Sequence, residues 1–390
     1  MNTTRSRSFL SDEDAGMEWN FDSLFRFMKK SRGFTGPDEE QRAKGANDID
    51  AYHGFFGPVQ VAFSQGMFSG PAFIDDVRNI IGIARCQDMN GGNSNCVDYS
   101  PNSINPKDHD HRSSSAMGSS FRMRTGRRTG VILAAGAIAS PQLLQLSGIG
   151  DPSVFDPLRI DPSFGADGTG PEFTIAFLNI HELFSEGMIS VRAIPVMGKS
   201  QAANGLDAEA LTTIFAPVYE LPLSLETPGN STFTRLFTRG NIVITDTSVF
   251  TKPKVTLNYF NVEDLAVQIA GSRLTRKDLN HTAFEPISSG GNDPGTDVVP
   301  DDGNGGADDA WHSWIHDEFG AVFHMIGSAA MMRHDLGGVV DGKLRVYDTM
   351  NLRVVDASIL PPHISAHPSE TLYGVAEKAV DIIKSGVSLM

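Results

Sequence analysis

Apolar residues recur at helical spacing through Trp19-Asn-Phe-Asp-Ser-Leu-Phe-Arg-Phe-Met-Lys-Lys30, and Lys29 and Lys30 stand in its last turn. The pattern predicts a helix. From Ser31 to Asp50 the chain turns polar and reads as a connector. His53-Gly-Phe-Phe-Gly-Pro-Val-Gln-Val61 then starts a strand from a Gly/Pro turn, and residues 87–120, rich in Asn, Ser and Gly, read mostly as loop. Gly130 to Ile138 is a short continuous apolar run, as a parallel strand buried on both faces requires. Ser140-Pro141 follows as a predicted N-cap with proline at the first helical position, and Gly148 supplies the stop. Small residues between this strand and its helix permit close approach of a cofactor or another backbone.

Between Phe173 and Phe260, short β-rich pieces alternate with Pro and Gly, which predicts an antiparallel sheet. Its clearest strands are Asn241-Ile-Val-Ile-Thr-Asp-Thr and Lys254-Val-Thr-Leu-Asn-Tyr-Phe. Val262 to Leu279 reads as helix. Ser288 to Asp309 is an acidic, Gly-rich stretch, read as a solvated loop in preference to an ion site. Leu352-Arg-Val-Val-Asp356 is strand-like. Glu370 to Lys384 is an amphipathic helix whose stripe (Leu372, Val375, Ala376, Ala379, Ile382, Ile383) is expected to pack on a sheet. Gly386 suits its stop, and its N-terminus can stabilise an anion such as a phosphate.

The bulk properties narrow the class. A chain of 390 residues suggests two domains rather than one, and 40% hydrophobic with 20% charged residues reads as globular and soluble. A net charge of −15 argues against nucleic acid or an anionic membrane as the main partner. No apolar run approaches the roughly 20 residues that span a bilayer. The polar start, Met1-Asn-Thr-Thr-Arg-Ser-Arg-Ser, is not a secretory signal, and the compartment stays open. Cys86 and Cys96 could bridge in an oxidising compartment or remain ordinary thiols. Sequons at Asn2, Asn230 and Asn280 matter only for a secreted chain.

Candidate chemistry gathers near the C-terminus. His324 lies in Phe-His-Met-Ile-Gly-Ser and His367 in Pro-Pro-His-Ile-Ser-Ala-His-Pro, between a strand and a helix. Such a corner can present a base at the mouth of a buried site, and imidazole is the usual base for a hydroxyl proton at neutral pH. His363, four residues before His367, raises a metal site with His324 or His334. Pro361 and Pro362 disfavour the helix such a pair needs, so a loop role is preferred. His53 could line a channel or serve a turn. Asp356 could be a strand-end cap or meet a cofactor.

Gly136-Ala-Ile-Ala-Ser-Pro-Gln-Leu-Leu-Gln-Leu-Ser-Gly-Ile-Gly150 resembles the second signature of the glucose–methanol–choline (GMC) flavin oxidoreductases. Further matches are Phe323-His-Met-Ile-Gly-Ser, Gly337-Gly-Val-Val-Asp341, Leu344-Arg-Val-Tyr347, Asn351-Leu-Arg-Val-Val-Asp-Ala-Ser-Ile359 and Thr371-Leu-Tyr-Gly-Val-Ala-Glu-Lys. His53-Gly-Phe-Phe-Gly-Pro-Val, Asp88-Met-Asn-Gly-Gly and Arg112-Ser-Ser-Ser-Ala match less strongly. Fungal glucose-oxidase-like and aryl-alcohol-oxidase-like branches look most similar.

The resemblance implies an α/β fold (α+β overall): an FAD-binding domain joined to an antiparallel-sheet substrate domain. The implied division is residues 1–116 as substrate-side and connector segments and 117–162 as an FAD-domain segment with the second signature. Residues 163–310 form the substrate domain, and 311–390 an FAD-domain segment carrying the histidines. It implies FAD as cofactor, a primary alcohol or sugar as substrate, and oxygen or a quinone-like compound as acceptor. His324 and His367 become the catalytic pair: one imidazole takes the alcohol proton as hydride passes to flavin N5, and the other holds the hydroxyl. Asp356 and Ala357 match positions at the FAD pyrophosphate and ribityl chain, and Pro368 and Ser369 match positions near the isoalloxazine. The chain departs from the family in lacking a Gly-x-Gly-x-x-Gly turn and the first signature, and in joining Ala116 to the second signature through a short segment. It also lacks the Gly-rich stretch expected after Pro157. These departures predict an incomplete GMC fold, and an inactive remnant unable to hold FAD stands as the alternative.

Overall fold

The computed structural model describes residues 9–65, 74–76, 78–79, 82, 84–93, 96–108, 111–112, 130–160, 240–259, 262–282, 294–320, 323–361, 364 and 367–386. Helix α1 (Phe21–Ser31) starts where the Asn20 side chain accepts the Ser23 N–H, and ends with Lys29 and Lys30 in its last turn as its periodicity predicts. The polar stretch read as a connector is structured instead. It holds strand β1 (Arg32–Thr35) and helix α2 (Glu39–Ala43). The reason is local satisfaction of polar groups. Asp38 and Gln41 form a reciprocal capping box, and the Gln41 amide also donates to the carbonyls of Phe63 and Ser64 at 3.0 and 3.1 Å. Strand β2 (Val59–Ala62) pairs with β1 in parallel, Arg32 opposite Val59 and Thr35 opposite Ala62. Phe34, Ala46, Val59, Val61 and Phe63 form the apolar core of this module. Two-residue strands β3 (Ile104–Asn105) and β4 (His111–Arg112) pair antiparallel within the expected loop region.

Strand β5 (Val131–Leu133) leads to helices α3 (Gly136–Leu146) and α4 (Pro152–Phe155). The start expected with Ser140 as N-cap is corrected: α3 begins five residues earlier, with Ala135 at the N-cap and Pro141 inside the helix. A proline there has no N–H to give the carbonyl one turn back, that of Ala137. The Ser328 hydroxyl donates to that carbonyl instead. Gly148 stops the helix as expected, with φ at +74° and its N–H on Gln145 O at 3.0 Å.

Strands β6 (Asn241–Val243) and β7 (Lys254–Thr256) pair antiparallel, as the alternation of that region predicts, and the other strands expected after Phe173 lie outside the described residues. Helix α5 (Val262–Leu279) has the expected bounds. It packs with α6 (Asp308–Glu318) around Trp311, with Leu265, Ile269, Val299 and Ile315. Strand β8 (Leu352–Val354) pairs with β5 in parallel, Val131 opposite Leu352. The expected burial of that sheet is corrected: Val131 is 59% and Ile132 50% exposed, because the described sheet has only these two strands.

Helix α7 (Pro368–Gly386) packs lengthwise on α1, and its stripe shares a core with Leu133 and Val354 of the β5–β8 sheet. Val375 and Ala379 are buried in the main core with Leu372 and Ile382 against it, while Ala376 of the expected stripe is exposed and Lys378 is buried. Gly374 allows the close crossing, since a Cβ there would lie 2.7 Å from Met28 Cγ and 3.2 Å from Met28 N. Lys30 pairs with Glu377 at 2.7 Å along the same seam. Lys378 donates to Ser23 Oγ at 2.9 Å and Glu18 O at 2.8 Å, and its ammonium lies 4.6 Å from the Trp19 ring centroid. The result is a mixed α/β fold of small parallel and antiparallel sheets with helices around them.

Candidate active site

The C-terminal ends of β5 and β8 organise the site. The side chain of Asp356, just past β8, accepts from Gly136 N at 3.0 Å, Ser140 Oγ at 2.5 Å, Ser358 N at 2.8 Å and Ser358 Oγ at 2.6 Å. One carboxylate thereby joins the start of α3 to the short helical turn Ala357–Ile359. Ser140 and Ser358 are fully buried, so these bonds are shielded from water. The capping reading of Asp356 is the one its contacts display. Gly136, at φ +84°, has no atom of the described residues beyond its own neighbours and helix backbone within 4 Å of the place a Cβ would take, which leaves open space there at the strand–helix corner.

The segment carrying His324 is laid across these strand ends. The N–H groups of Gly327, Ala329 and Met331 donate to Ala357, Ser358 and Ile359 carbonyls at 3.2, 2.9 and 2.8 Å. The Ser328 bond to the carbonyl freed by Pro141 fastens the same segment to α3. In open parallel sheets, the carboxyl ends of the strands are where ligands bind. His324 is half-buried, and Phe323 before it holds φ +60°, an uncommon backbone for a bulky residue.

His367 stands immediately before α7. Its ring lies 5.2 Å from that of His324, centroid to centroid, and the planes are perpendicular at 89°. Two imidazoles so placed can both reach one hydroxyl oxygen within hydrogen-bond distance. Pro368, buried, and Ser369, exposed, are the first residues of α7. The structure therefore brings His324 and His367 together, with Asp356 and Ala357 on the adjoining strand end. His363 lies outside the described residues.

A second polar cluster was not read from the sequence as a unit. Arg32 Nη1 lies 2.8 Å from His53 Nδ1, and a guanidinium can only donate, so Nδ1 accepts. The ring proton therefore sits on Nε2, which donates to Asp88 Oδ2 at 2.7 Å. Asp88 also accepts from Ile49 N at 2.8 Å, Asn90 N at 2.8 Å and Asn90 Nδ2 at 3.0 Å. Arg32 Nη2 donates to Asn90 Oδ1 at 2.9 Å, which closes a ring of four side chains. The same Nη2 pairs with Glu370 in the first turn of α7. Phe34 stacks on His53 at 3.6 Å between centroids. Burial raises the Asp88 carboxyl, but the bonds from His53, Asn90 and Ile49 outweigh it and bring it down to about 2. Burial also lowers Arg32 and raises Glu370, each opposed by the charge of the other.

His53 is thus neither a channel residue nor a simple turn residue: it is buried between Arg32 and Asp88. The glycines of His53-Gly-Phe-Phe-Gly57 have a matching cause. A Cβ at Gly54 would lie 1.7 Å from Lys29 O, and one at Gly57 2.2 Å from the Ser31 carbonyl carbon. The turn wraps that tightly around the entry to β1. Cys86 and Cys96 are joined in a disulfide, resolving the two alternatives for them, and the loop they close carries Asp88 and Asn90. The signal available in the sequence was Arg32 beside Gly33 and Phe34, but nothing local marks its partners.

The strand ends thus carry two facing histidines and an acidic residue that caps the strand-to-helix corner. Residues 237–376 match the family described as GMC oxidoreductase. The chain is 27% identical over 455 aligned positions to a glucose oxidase-like protein of Humicola fuscoatra, covering 94% of this chain and 76% of that one. It is 29% identical over 314 positions to a GMC oxidoreductase family protein of Malassezia sympodialis, covering 65% of this chain and 48% of the relative. It therefore spans about half of some curated relatives and three quarters of others. Among solved structures, an FAD-dependent oxidoreductase from Chaetomium thermophilum shares the fold with a TM-score of 0.77 at 19% identity, over 97% of this chain and 83% of that one. A fungal aryl-alcohol oxidase gives 0.73 at 19% identity, over 98% and 82%. In sequence the chain is thus similar to GMC oxidoreductases, among them glucose oxidase-like proteins and a choline dehydrogenase, and it shares its fold with an aryl-alcohol oxidase and a formate oxidase.

Proposed function

We propose that this chain works as an FAD-dependent oxidoreductase on the CH–OH group of a primary alcohol or sugar, in the glucose-oxidase-like or aryl-alcohol-oxidase-like manner. The observation that carries this reading is the perpendicular pair His324 and His367, 5.2 Å apart at the carboxyl ends of a parallel strand pair. An alcohol hydroxyl between them gives its proton to one imidazole, while the other holds the oxygen. Abstraction of this kind contributes about 10²–10⁴-fold to a rate. FAD, when bound, supplies the acceptor for the hydride that leaves the same carbon, so the alcohol becomes a carbonyl compound. Oxygen or a quinone-like acceptor then takes the electrons.

The residues present fit one side of that cofactor. The open corner at Gly136 admits a group close to the backbone, and the turn that begins at Ala357 is tied to it through Asp356, while Pro368 and Ser369 at the start of α7 would serve the isoalloxazine end. Asp356 acts there chiefly through the backbone it holds, since its carboxylate already takes four donors. In this reading residues 117–162 and 311–390 serve the cofactor side, 1–116 serve as substrate-side and connector segments, and 163–310 serve as the substrate domain.

The purified protein refolded with excess FAD should retain flavin absorption and consume oxygen or a dye with an alcohol or sugar from a panel. His324→Ala or His367→Ala should then lower kcat by about 10²–10⁴-fold. Failure to retain any flavin would sink the reading. It would favour the alternative, a remnant unable to hold FAD, for which the apolar exposure of Val131 and Ile132 speaks.

A further inference from the structure

Arg32 lies away from the two histidines but is tied to the helix that follows one of them, and its role rests on the reading of His324 and His367 as the catalytic pair. Helix α7 is fixed sideways by α1, through Gly374 against Met28, Lys30 with Glu377, and Lys378 with Ser23. Those contacts leave the head of the helix to be placed. Glu370 and Tyr373 do that: Tyr373 packs on the Phe34 cluster, and Glu370 meets Arg32. His367 is the residue before the helix and Glu370 lies in its first turn, so a rigid turn of backbone separates the clamp from the imidazole. Fixing Glu370 fixes the point from which His367 projects.

Arg32 suits this task better than a point charge would. It is 3% exposed, and its planar fork meets His53, Asn90 and Glu370 at once. Burying such a set costs several kcal/mol per ion before pairing, and an apolar cluster of the same volume would be at least as stable. What the polar set adds is one orientation. His53 and Asn90 can hold the guanidinium in one plane only because Asp88 orders both, and Asp88 sits in the loop closed by Cys86 and Cys96.

We propose that Arg32 is a positioning residue for His367, acting through Glu370, and that the His53–Asp88–Asn90 ring serves to aim its guanidinium. Perturbing the clamp then changes the placement of a histidine whose neighbours the substitution does not touch.

The test uses the chain labelled with 15N-histidine, without flavin, and reads the imidazole resonances in long-range 1H–15N spectra. His324→Asn and His367→Asn assign their signals. In Arg32→Lys and Glu370→Ala, each first verified to unfold cooperatively, the His367 signals should shift or split into more than one set. His312 and His316 on α6 should stay in place. Glu370→Gln keeps an acceptor for the fork and should restore a single His367 set. Glu370 is at the rim of the cluster, so its variants should fold even if Arg32→Lys does not, and they decide the matter alone. Unmoved His367 signals in folded Glu370→Ala overturn the proposal, whatever the enzyme does with alcohols. Shifted signals with no flavin-dependent oxidation by the wild type support the clamp and overturn only the functional reading. Where oxidation is found, Glu370→Ala should lower kcat at least tenfold and leave KM nearly unchanged.

Discussion

At the scale of single residues, the buried charges carry measurable consequences. Asp88 is nearly inaccessible, and its carboxyl is held at about 2 against an ordinary 3.8 by His53, Asn90 and Ile49. A group depressed in the folded state stabilises above its unfolded value and loses that contribution as pH falls through the folded one. Urea unfolding should therefore show about 2 kcal/mol lost between pH 4 and 2 on account of this residue. The acid slope should be shallower in Asp88→Asn by that amount. Lys378 has the opposite sense. Burial brings it down from 10.5 to about 8, so its charging opposes folding fully below pH 8 and the penalty is relieved toward 10.5. The Trp19 ring and the Ser23 hydroxyl offset part of the cost. Stability should rise by about 2 kcal/mol from pH 8 to 10.5 in the wild type, and that rise should be missing in Lys378→Met. These residues differ in legibility. His324 and His367 could be singled out from their surroundings in sequence. Arg32 could not, because its partners stand at positions 53, 90 and 370.

Among elements, the helices were the more readable class. A periodic stripe reports a buried face whatever it packs on, so α1, α5 and α7 were predicted close to their bounds. The partner of α7 was not legible. Its stripe joins a core with Leu133 and Val354 of the β5–β8 sheet, yet the helix also lies along α1, and the small residue at 374 decides how near those two axes come. Gly374→Val should destabilise the protein by about 1–3 kcal/mol through overpacking, measured as a lower urea midpoint with an unchanged m-value. A wild-type midpoint would mean that Met28 moves aside freely. The start of α3 was misplaced for a related reason. Ser140-Pro141 is a good N-cap pair locally, but Asp356, 216 residues away, takes the serine hydroxyl, and Ser328 satisfies the carbonyl that the proline leaves. A distant donor and acceptor turned a cap into a helix interior. The polar stretch after Ser31 misled similarly, since polarity signals solvent only where the polar groups lack partners within the fold.

For the whole molecule, the joining of separate modules matters most. The alignment with the Humicola relative runs over 455 positions against 390 residues here, so that relative carries residues inside the aligned span that this chain lacks. The exposed apolar face of β5 accords with a sheet that, among the described residues, has fewer strands than its composition suits. The module around β1 and β2 is held to the C-terminal helix by Arg32, and its long loop is closed by one disulfide. Closing a loop of this length removes unfolded-state entropy worth about 3 kcal/mol. Replacing both cysteines with serine, or reducing the bridge, should lower unfolding stability by up to about that amount. Under the positioning proposal, reduction should also loosen the Asp88 ring. Equal stability with and without reductant would show that the bridge constrains little.

The sequence by itself determined the periodic elements and the parallel character of the Gly130 strand, and it singled out two histidines in segments that resemble a family, because each is written in neighbouring residues. The tertiary structure alone decided that the histidine rings face each other at right angles, that Asp356 joins a strand end to a helix start, and that a buried arginine grips the head of α7. Those outcomes depend on groups tens to hundreds of residues apart finding one another, and hydrogen bonds of that range leave no local pattern to read.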